Sequence, residues 1–299
     1  MKRREFLQTA INGATVMALA PGATVAAGKA DALAGETGIT TGSFTRHLTV
    51  EPLAGKLRLL DLPKLMREEL DMRVIDLMTA TLASMEPDYL GQLRTAADRA
   101  GCVLTNLKMN NPGLDMASAD EAVRRHALDE YKRTMDAAER LGVRWVRPLP
   151  GPKRPDFARC ASAYRELMDY GAARGIGLLV ENYGWMQSDP DAIPGLIKLT
   201  GPDLRAQPDT GNWTDAARYD GLAKAFPFAV SCDFKARDLS PDGEHKAYDL
   251  KRCFQIGWDA GFRGPWCFEH FHTDLRQLFR EMGILRDQLR GWMRGAKRP

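Results

Sequence analysis

Residues 176–183 read Ile-Gly-Leu-Leu-Val-Glu-Asn-Tyr, an apolar run that ends abruptly in an acid, Glu181. A short apolar run closed by polar residues predicts a strand that is buried on both faces. The amphipathic stretch 157–174 precedes this run, with Gly175 between them, and the helical stretch 190–199 follows it. A buried strand between two helices is the unit from which parallel α/β sheets are built.

The same unit recurs along the chain. Strands are predicted at 38–44, 73–79, 102–110, 145–151, 176–183, 204–212, 229–237 and 264–272. Helices are predicted at 62–70, 87–100, 119–141, 157–174, 190–199, 219–225, 248–260 and 274–293. Eight strand-helix units over roughly 260 residues predict one closed (β/α)8 TIM barrel, spanning residues 31–299. An open doubly wound sheet is the alternative, but no G-x-G-x-x-G motif follows any strand to support a dinucleotide site.

Strands five to eight each end in an acid. These acids are Glu181, Asp209, Asp233 and Glu269. Because the carboxyl ends of barrel strands meet at one mouth, we expect the four carboxylates to converge there. Carboxylates at close quarters repel one another, so they must share protons, pair with cations or bind a metal. All-oxygen ligation favours Mn²⁺ or Mg²⁺ over Zn²⁺.

Other polar residues lie near the same strand ends. Lys108 ends strand three and Arg147 lies in strand four, so each can hold a hydroxyl or an anionic substituent of a ligand. Lys235 shares a face with Asp233, because it follows by two residues in a strand. His272, beyond Glu269, is a further candidate for substrate contact. Surface or ion-pair roles remain open for each of these side chains.

The aromatic residues Trp185 and Trp213 occupy loops after acid-bearing strands. Either can stack on the face of a sugar ring, or simply cover the barrel rim.

The chain from residue 31 onward resembles the xylose isomerase-like barrels known as sugar phosphate isomerases and epimerases. The most specific parts are V-E-N at 180–182, D-T-G-N at 209–212, Phe234-Lys235, and the late strand that ends in Glu269. The resemblance implies that Glu181, Asp209 and Glu269 hold a divalent metal ion. It further implies that the two glutamates form an acid/base pair and that Asn212 contacts the substrate.

One position departs from the pattern of this family. Family members commonly carry a histidine ligand two residues before the strand-seven lysine, where this chain has Asp233. Aspartate can also ligate Mn²⁺ or Mg²⁺, and Lys235 can compensate its extra charge. Alternatively, Asp233 and Lys235 form a structural ion pair at the rim while the remaining acids cap helices.

The resemblance implies a metal-dependent sugar isomerase or epimerase that transfers a proton through an enediolate. A lyase or hydrolase acting on 3-keto-glycosides at the same site is an alternative, as is a non-catalytic periplasmic sugar-binding protein. A DNA-repair phosphodiesterase of the same superfamily would need several histidine ligands, which these strand ends lack.

The first thirty residues differ in kind from the rest. Lys2, Arg3 and Arg4 precede Phe6-Leu7, and residues 11–27 are uncharged and rich in small side chains. This layout resembles a twin-arginine signal peptide, which predicts residues 1–30 as a cleaved leader, the twin-arginine export machinery as a partner, and a periplasmic location. The run is too weakly apolar to predict stable membrane insertion. A frayed basic N-terminus is the alternative.

The net charge and the cysteines of the chain indicate which kinds of partner and of cysteine chemistry to expect. The 299 residues include 42 basic and 39 acidic side chains, a balance of +3 that argues against nucleic-acid binding. The resemblance to the sugar isomerases and epimerases implies a small-molecule carbohydrate as the partner. The five cysteines form no C-x-x-C motif and are predicted to be thiols of the core.

Overall fold

The computed structural model describes residues 33–149, 151 and 153–296. The predicted leader at 1–30 lies outside these residues. In the described part, strands and helices alternate along the chain as follows: β1 (Thr37–Thr40), α1 (Leu62–Leu70), β2 (Val74–Met78), α2 (Pro87–Ala100), β3 (Val103–Met109), α3 (Glu121–Leu141), β4 (Trp145–Pro148), α4 (Phe157–Ala172), β5 (Gly177–Val180), α5 (Ala192–Thr200), β6 (Arg205–Ala206), α6 (Arg218–Ala225), β7 (Cys232–Lys235), α7 (Leu250–Asp259), β8 (Trp266–Glu269) and α8 (Leu275–Gly295).

The strands form one parallel sheet that closes on itself. Their order is β6-β5-β4-β3-β2-β1-β8-β7, and every pair is parallel. The ring closes between β6 and β7 through isolated bridges that join Ala206 to Ala229 and Asp209 to Asp233. The predicted (β/α)8 barrel is therefore confirmed, and the open-sheet alternative is wrong.

Helices α1 and α2 have the predicted bounds, whereas the strands are shorter than predicted. The largest difference is β6, which comprises Arg205–Ala206 instead of 204–212. Pro208 has no N–H group to donate to a ladder. Beyond it, Asp209 Oδ1 accepts the backbone N–H groups of Gly211 and Asn212, at 2.7 and 3.0 Å, and turns the chain. The first strand also ends early, because 41–44 form a 3₁₀ turn.

The apolar core lies mainly between the outside of the barrel and the helices. Trp266 of β8 packs with Phe234 of β7 and Phe254 of α7, at ring-centroid distances of 5.2 and 5.4 Å. All five cysteines are buried and free, as predicted. Among the described residues, no helix combines the length and the apolar character needed to cross a bilayer.

Candidate active site at the barrel mouth

The four acids predicted at the strand ends lie at the carboxyl ends of β5 to β8. Glu181 directly follows β5, Asp209 follows the short β6, Asp233 lies within β7, and Glu269 ends β8. Asp209 and Asp233 are fully buried, and Glu181 is 3% exposed. The Glu269 side chain is the most accessible of the four, at 12% exposed. The acids therefore have little water to solvate their charges and need partners from the chain.

Three buried cations provide those partners. Lys108 of β3 donates to Asp233 Oδ1 at 2.5 Å. Arg147 of β4 places Nε 2.7 Å from Glu181 Oε2, as an ion pair that is not aligned as a hydrogen bond. Each of the two contacts joins side chains that are no more than 3% exposed.

Lys235 of β7 connects several site residues. Its Nζ lies 2.9 Å from Asp209 Oδ2, 2.9 Å from Glu269 Oε1 and 2.8 Å from Asn212 Oδ1. The carboxamide of Asn212 then donates through Nδ2 to Glu181 Oε1, at 2.7 Å. A chain of hydrogen bonds and ion pairs thus runs from Glu181 to Glu269.

Local backbone geometry holds Asp209 in place. Asn182, the residue after Glu181, accepts from the Asp209 N–H at 2.8 Å and donates to the Asp209 carbonyl at 3.0 Å. Gly211 leaves room for the lysine, because a Cβ atom there would lie 2.6 Å from Lys235 Cδ. Backbone and side-chain bonds thus determine where this carboxylate lies.

A second polar layer, which was not predicted from the sequence, lies inside the barrel. Asp76 of β2 is fully buried and accepts from Thr105 Oγ1 and, at 2.7 Å, from Gln207 Nε2. The same Nε2 lies 3.3 Å from Asp233 Oδ1, and Asn106 donates to Gln207 Oε1 at 2.8 Å. One signal was present in the sequence: Asp76 interrupts the otherwise apolar run Val-Ile-Asp-Leu-Met.

Burial and neighbouring charges change the proton affinities of the site. Burial raises the pKa of Glu181, an effect that Arg147 opposes and Asp209 strengthens. Burial also raises the pKa of Asp233 well above its usual range, against the opposing effect of Lys108. For Lys108 and Lys235, burial lowers the pKa, but the surrounding carboxylates outweigh it, and both pKa values are raised. Both lysines are therefore cations at neutral pH.

Three of the acids have the arrangement of a cation site. One oxygen from each of Glu181, Asp209 and Asp233 lies within 4.8 Å of the others. Asp233 Oδ2 is buried and has no hydrogen-bond partner. With Asp76 and Glu269, the site holds five carboxyl groups and three cations. This buried acidic triad can bind a metal ion, and hard oxygen donors are the ligands that Mn²⁺ and Mg²⁺ prefer.

The structure brings most of the predicted site residues together. Lys108, Arg147, Asn212 and Lys235 all contact the acids. Glu269 contacts Lys235 and lies outside the oxygen triad. The His272 ring is engaged locally, because its Nδ1 accepts from the backbone N–H of Asp274 at 2.9 Å.

The two tryptophans, Trp185 and Trp213, pack against other residues of the chain. Trp213 is 3% exposed and packs so closely on Gly221 that a Cβ there would lie 2.6 Å from its ring. Trp185 packs against Phe157 and under the guanidinium of Arg154, at centroid distances of 5.6 and 5.4 Å. These contacts fit the rim-covering alternative.

Comparisons with known proteins agree with this fold. The sequence model of a family described as "Xylose isomerase-like TIM barrel" matches residues 68–295. No curated protein sequence matches the chain significantly.

Several solved structures share the architecture. D-psicose 3-epimerase, solved in the presence of D-fructose, has a TM-score of 0.65 at 14% identity, over 87% of this chain and 97% of that one. L-ribulose 3-epimerase has a TM-score of 0.65 at 17% identity, over 87% and 92%. A xylose isomerase-like TIM barrel protein from Mycobacterium smegmatis, in complex with magnesium, has a TM-score of 0.61 at 18% identity, over 88% and 99%. These TM-scores establish a shared fold, and identities this low show the fold alone.

Proposed function

Because this chain belongs to the xylose isomerase-like TIM barrel family, we propose that it is a sugar isomerase or epimerase that transfers a proton with the help of a divalent ion. One observation carries the proposal: Glu181, Asp209 and Asp233 converge to within 4.8 Å beside three buried cations. Non-catalytic sugar binding does not require several desolvated carboxylates, which are costly to bury.

Glu181, Asp209 and Asp233 would hold the ion, with Mn²⁺ or Mg²⁺ favoured over Zn²⁺ because the triad offers only oxygen. When bound, the ion would polarise the carbonyl and the adjacent hydroxyl of a sugar. The structurally similar proteins are consistent with this role for a divalent ion, because they include a magnesium complex, a D-psicose 3-epimerase and an L-ribulose 3-epimerase.

The two glutamates would move the proton. We assign Glu269 as the base, because it is the more accessible carboxylate and its partner Lys235 holds it at 2.9 Å. It would remove the proton on the carbon next to the sugar carbonyl, and the electron pair of that C–H bond would form the enediolate. Glu181, whose pKa burial raises, would return a proton to the enediolate. Lys235 and Arg147 would offset the negative charge that develops on oxygen.

The position of reprotonation would decide the product. Return to the opposite face of the same carbon gives an epimer, and return to the adjacent carbon gives an isomer. If the enolate instead expels a substituent at the β-carbon, the same residues perform a lyase reaction on a 3-keto-glycoside. The predicted twin-arginine leader favours this second candidate, because phosphorylated sugars are uncommon outside the cytoplasm. We also propose a periplasmic location, because a twin-arginine leader is predicted at residues 1–30.

Deuterium exchange tests the proposal. Purified protein with added Mn²⁺ is incubated in D₂O with a panel of ketoses and 3-keto-glycosides, and the products are followed by NMR. We expect deuterium at one carbon of a single substrate class, with the epimer, isomer or elimination product identifying the reaction. A protein that binds a sugar but exchanges no carbon-bound hydrogen is a binding protein, and the enzymatic proposal is then wrong.

A further inference from the structure

Lys108 and Asp233 form an ion pair across the interior of the barrel. Lys108 lies on β3 and Asp233 on β7, which are four strands apart in the eight-stranded ring. Their side chains are 1% and 0% exposed, and Nζ lies 2.5 Å from Oδ1. A lysine this deeply buried has no access to bulk water and is fixed by the carboxylate that it faces.

The two oxygens of Asp233 have different surroundings. Oδ1 faces Lys108 Nζ and, at 3.3 Å, Gln207 Nε2. Oδ2 has no hydrogen-bond partner, although the side chain is fully buried. A buried carboxylate oxygen without a partner is costly, so its presence beside Glu181 and Asp209 points to a ligand that is a cation.

Given the divalent ion of the proposed function, we propose that Lys108 is the resident counter-cation of this site. It engages Oδ1 of Asp233 and so restricts that aspartate to a single oxygen, Oδ2, toward the divalent ion. Its positive charge also lowers the net negative charge that the ion meets. Lys108 is in this sense a positioning residue, which acts on the ion through Asp233.

The charges of the site support this assignment. Lys108 lies close enough to Asp233, Asp76, Glu269 and Glu181 to interact electrostatically with all four. Removing its charge would therefore increase the negative charge of the whole cluster and strengthen the attraction for a divalent ion. Removing the charge of Asp233 alone would leave the buried ammonium uncompensated, and this would repel the ion.

A double-mutant cycle tests the inference with Mn²⁺ as the probe. The Mn²⁺ dissociation constant is measured by isothermal titration calorimetry for the wild type, Lys108→Met, Asp233→Asn and the double variant. Lys108→Met should bind Mn²⁺ about tenfold more tightly than the wild type. Asp233→Asn should bind it about a hundredfold more weakly, and adding Lys108→Met to Asp233→Asn should recover about tenfold. Lys64→Met, whose side chain on α1 is 74% exposed, is the matched control and should not change the affinity.

The outcomes separate the inference from the function on which it rests. Folding of each variant is checked by circular dichroism. If a single variant is too unstable to titrate, the double variant is used in its place, because it lacks both charges of the pair and leaves neither uncompensated. Equal or weaker Mn²⁺ binding by folded Lys108→Met, or a double variant that binds no better than Asp233→Asn, overturns the role of Lys108. A wild type without Mn²⁺ binding overturns both that role and metal assistance. A wild type that binds Mn²⁺ but exchanges no sugar hydrogen overturns only the proposed function.

Discussion

Glu181 and Glu269, the two carboxyl groups assigned to proton transfer, are joined through only two side chains. Asn212 donates to Glu181 at 2.7 Å and accepts from Lys235 at 2.8 Å, and Lys235 contacts Glu269 at 2.9 Å. A shift of Glu181 therefore changes the contacts of Asn212, and a shift of Glu269 changes those of Lys235. The acid and the base are held relative to each other as well as relative to the barrel.

Glu269→Gln should remove proton transfer without unfolding the protein. Glutamine keeps the size of the side chain and an oxygen for Lys235, but it cannot act as a base at neutral pH. We expect the exchange rate to fall by about a thousandfold or more, as measured by NMR in D₂O. Glu139→Gln, on the outer surface of α3, is the control and should exchange at the wild-type rate. Full exchange by Glu269→Gln would exclude this residue as the base.

Asn212→Ala should disconnect the two glutamates. A loss of transition-state stabilisation equal to one hydrogen bond to a charged group, about 1.5–3 kcal/mol, would lower kcat by about ten- to a hundredfold. Asn212→Asp keeps an acceptor for Lys235 but places a carboxylate against Glu181, and it should be the more damaging change. Steady-state kinetics would check both variants. If Asn212→Ala altered KM alone, the residue would bind substrate without organising the glutamates.

Gly211→Ala should destabilise the fold at the site. A Cβ there would lie 2.6 Å from Lys235 Cδ and 2.8 Å from Tyr248 Oη. Forcing these groups apart should lower the free energy of unfolding by about 1–3 kcal/mol, as measured by urea denaturation. Gly91→Ala provides the contrast, because it lies in α2 with nothing within 4 Å of the added Cβ. That change should be neutral or stabilise by about 0.5–1 kcal/mol. Equal effects of the two variants would contradict the packing described at Gly211.

The loop after β7 should loosen in mild acid. His245 Nε2 accepts the backbone N–H of Arg237 at 2.7 Å, and its Nδ1 faces the carbonyl of Tyr248 at 2.7 Å, so the ring is neutral. Burial lowers the pKa of His245, which the Tyr248 carbonyl opposes in part. The contribution of the neutral ring to the stability of the loop is therefore complete above the unfolded pKa of about 6.5. It decreases as the pH falls from there toward the lower pKa of the folded protein.

Amide hydrogen exchange of residues 237–249 measures this effect. After correction for intrinsic exchange rates, protection at Arg237 should decrease below a pH of about 6.5. His245→Gln, which cannot titrate, should show a flat profile. Constant protection in the wild type across this range would mean that the histidine does not hold the loop.

The fold could be predicted from the sequence because strand and helix signals recur in strict alternation. Glycine after α2, α3 and the stretch 157–174 marks where those helices end. The predicted strand 204–212 was too long, although Pro208 lies within it. The sequence does not show that Asp209 accepts the N–H groups of Gly211 and Asn212. That turn depends on side-chain geometry rather than on periodicity.

The convergence of the acids could also be predicted, because barrel topology alone brings the ends of β5 to β8 to one mouth. The pairing of each acid could not. Lys235 was expected to compensate Asp233, but it contacts Asp209 and Glu269, whereas Lys108 reaches Asp233 from the opposite side of the barrel. Sequence spacing identifies neighbours on one strand and gives no information on contacts across the interior.

Metal-assisted proton transfer is best tested by deuterium exchange in one protein sample in three states: as purified, after chelation, and after reloading with Mn²⁺. We expect exchange at a single sugar carbon that is lost on chelation and restored by one equivalent of Mn²⁺. Exchange that continues unchanged in the chelated protein, or no exchange in a sample that carries one bound ion, would show that the bound ion does not assist proton transfer.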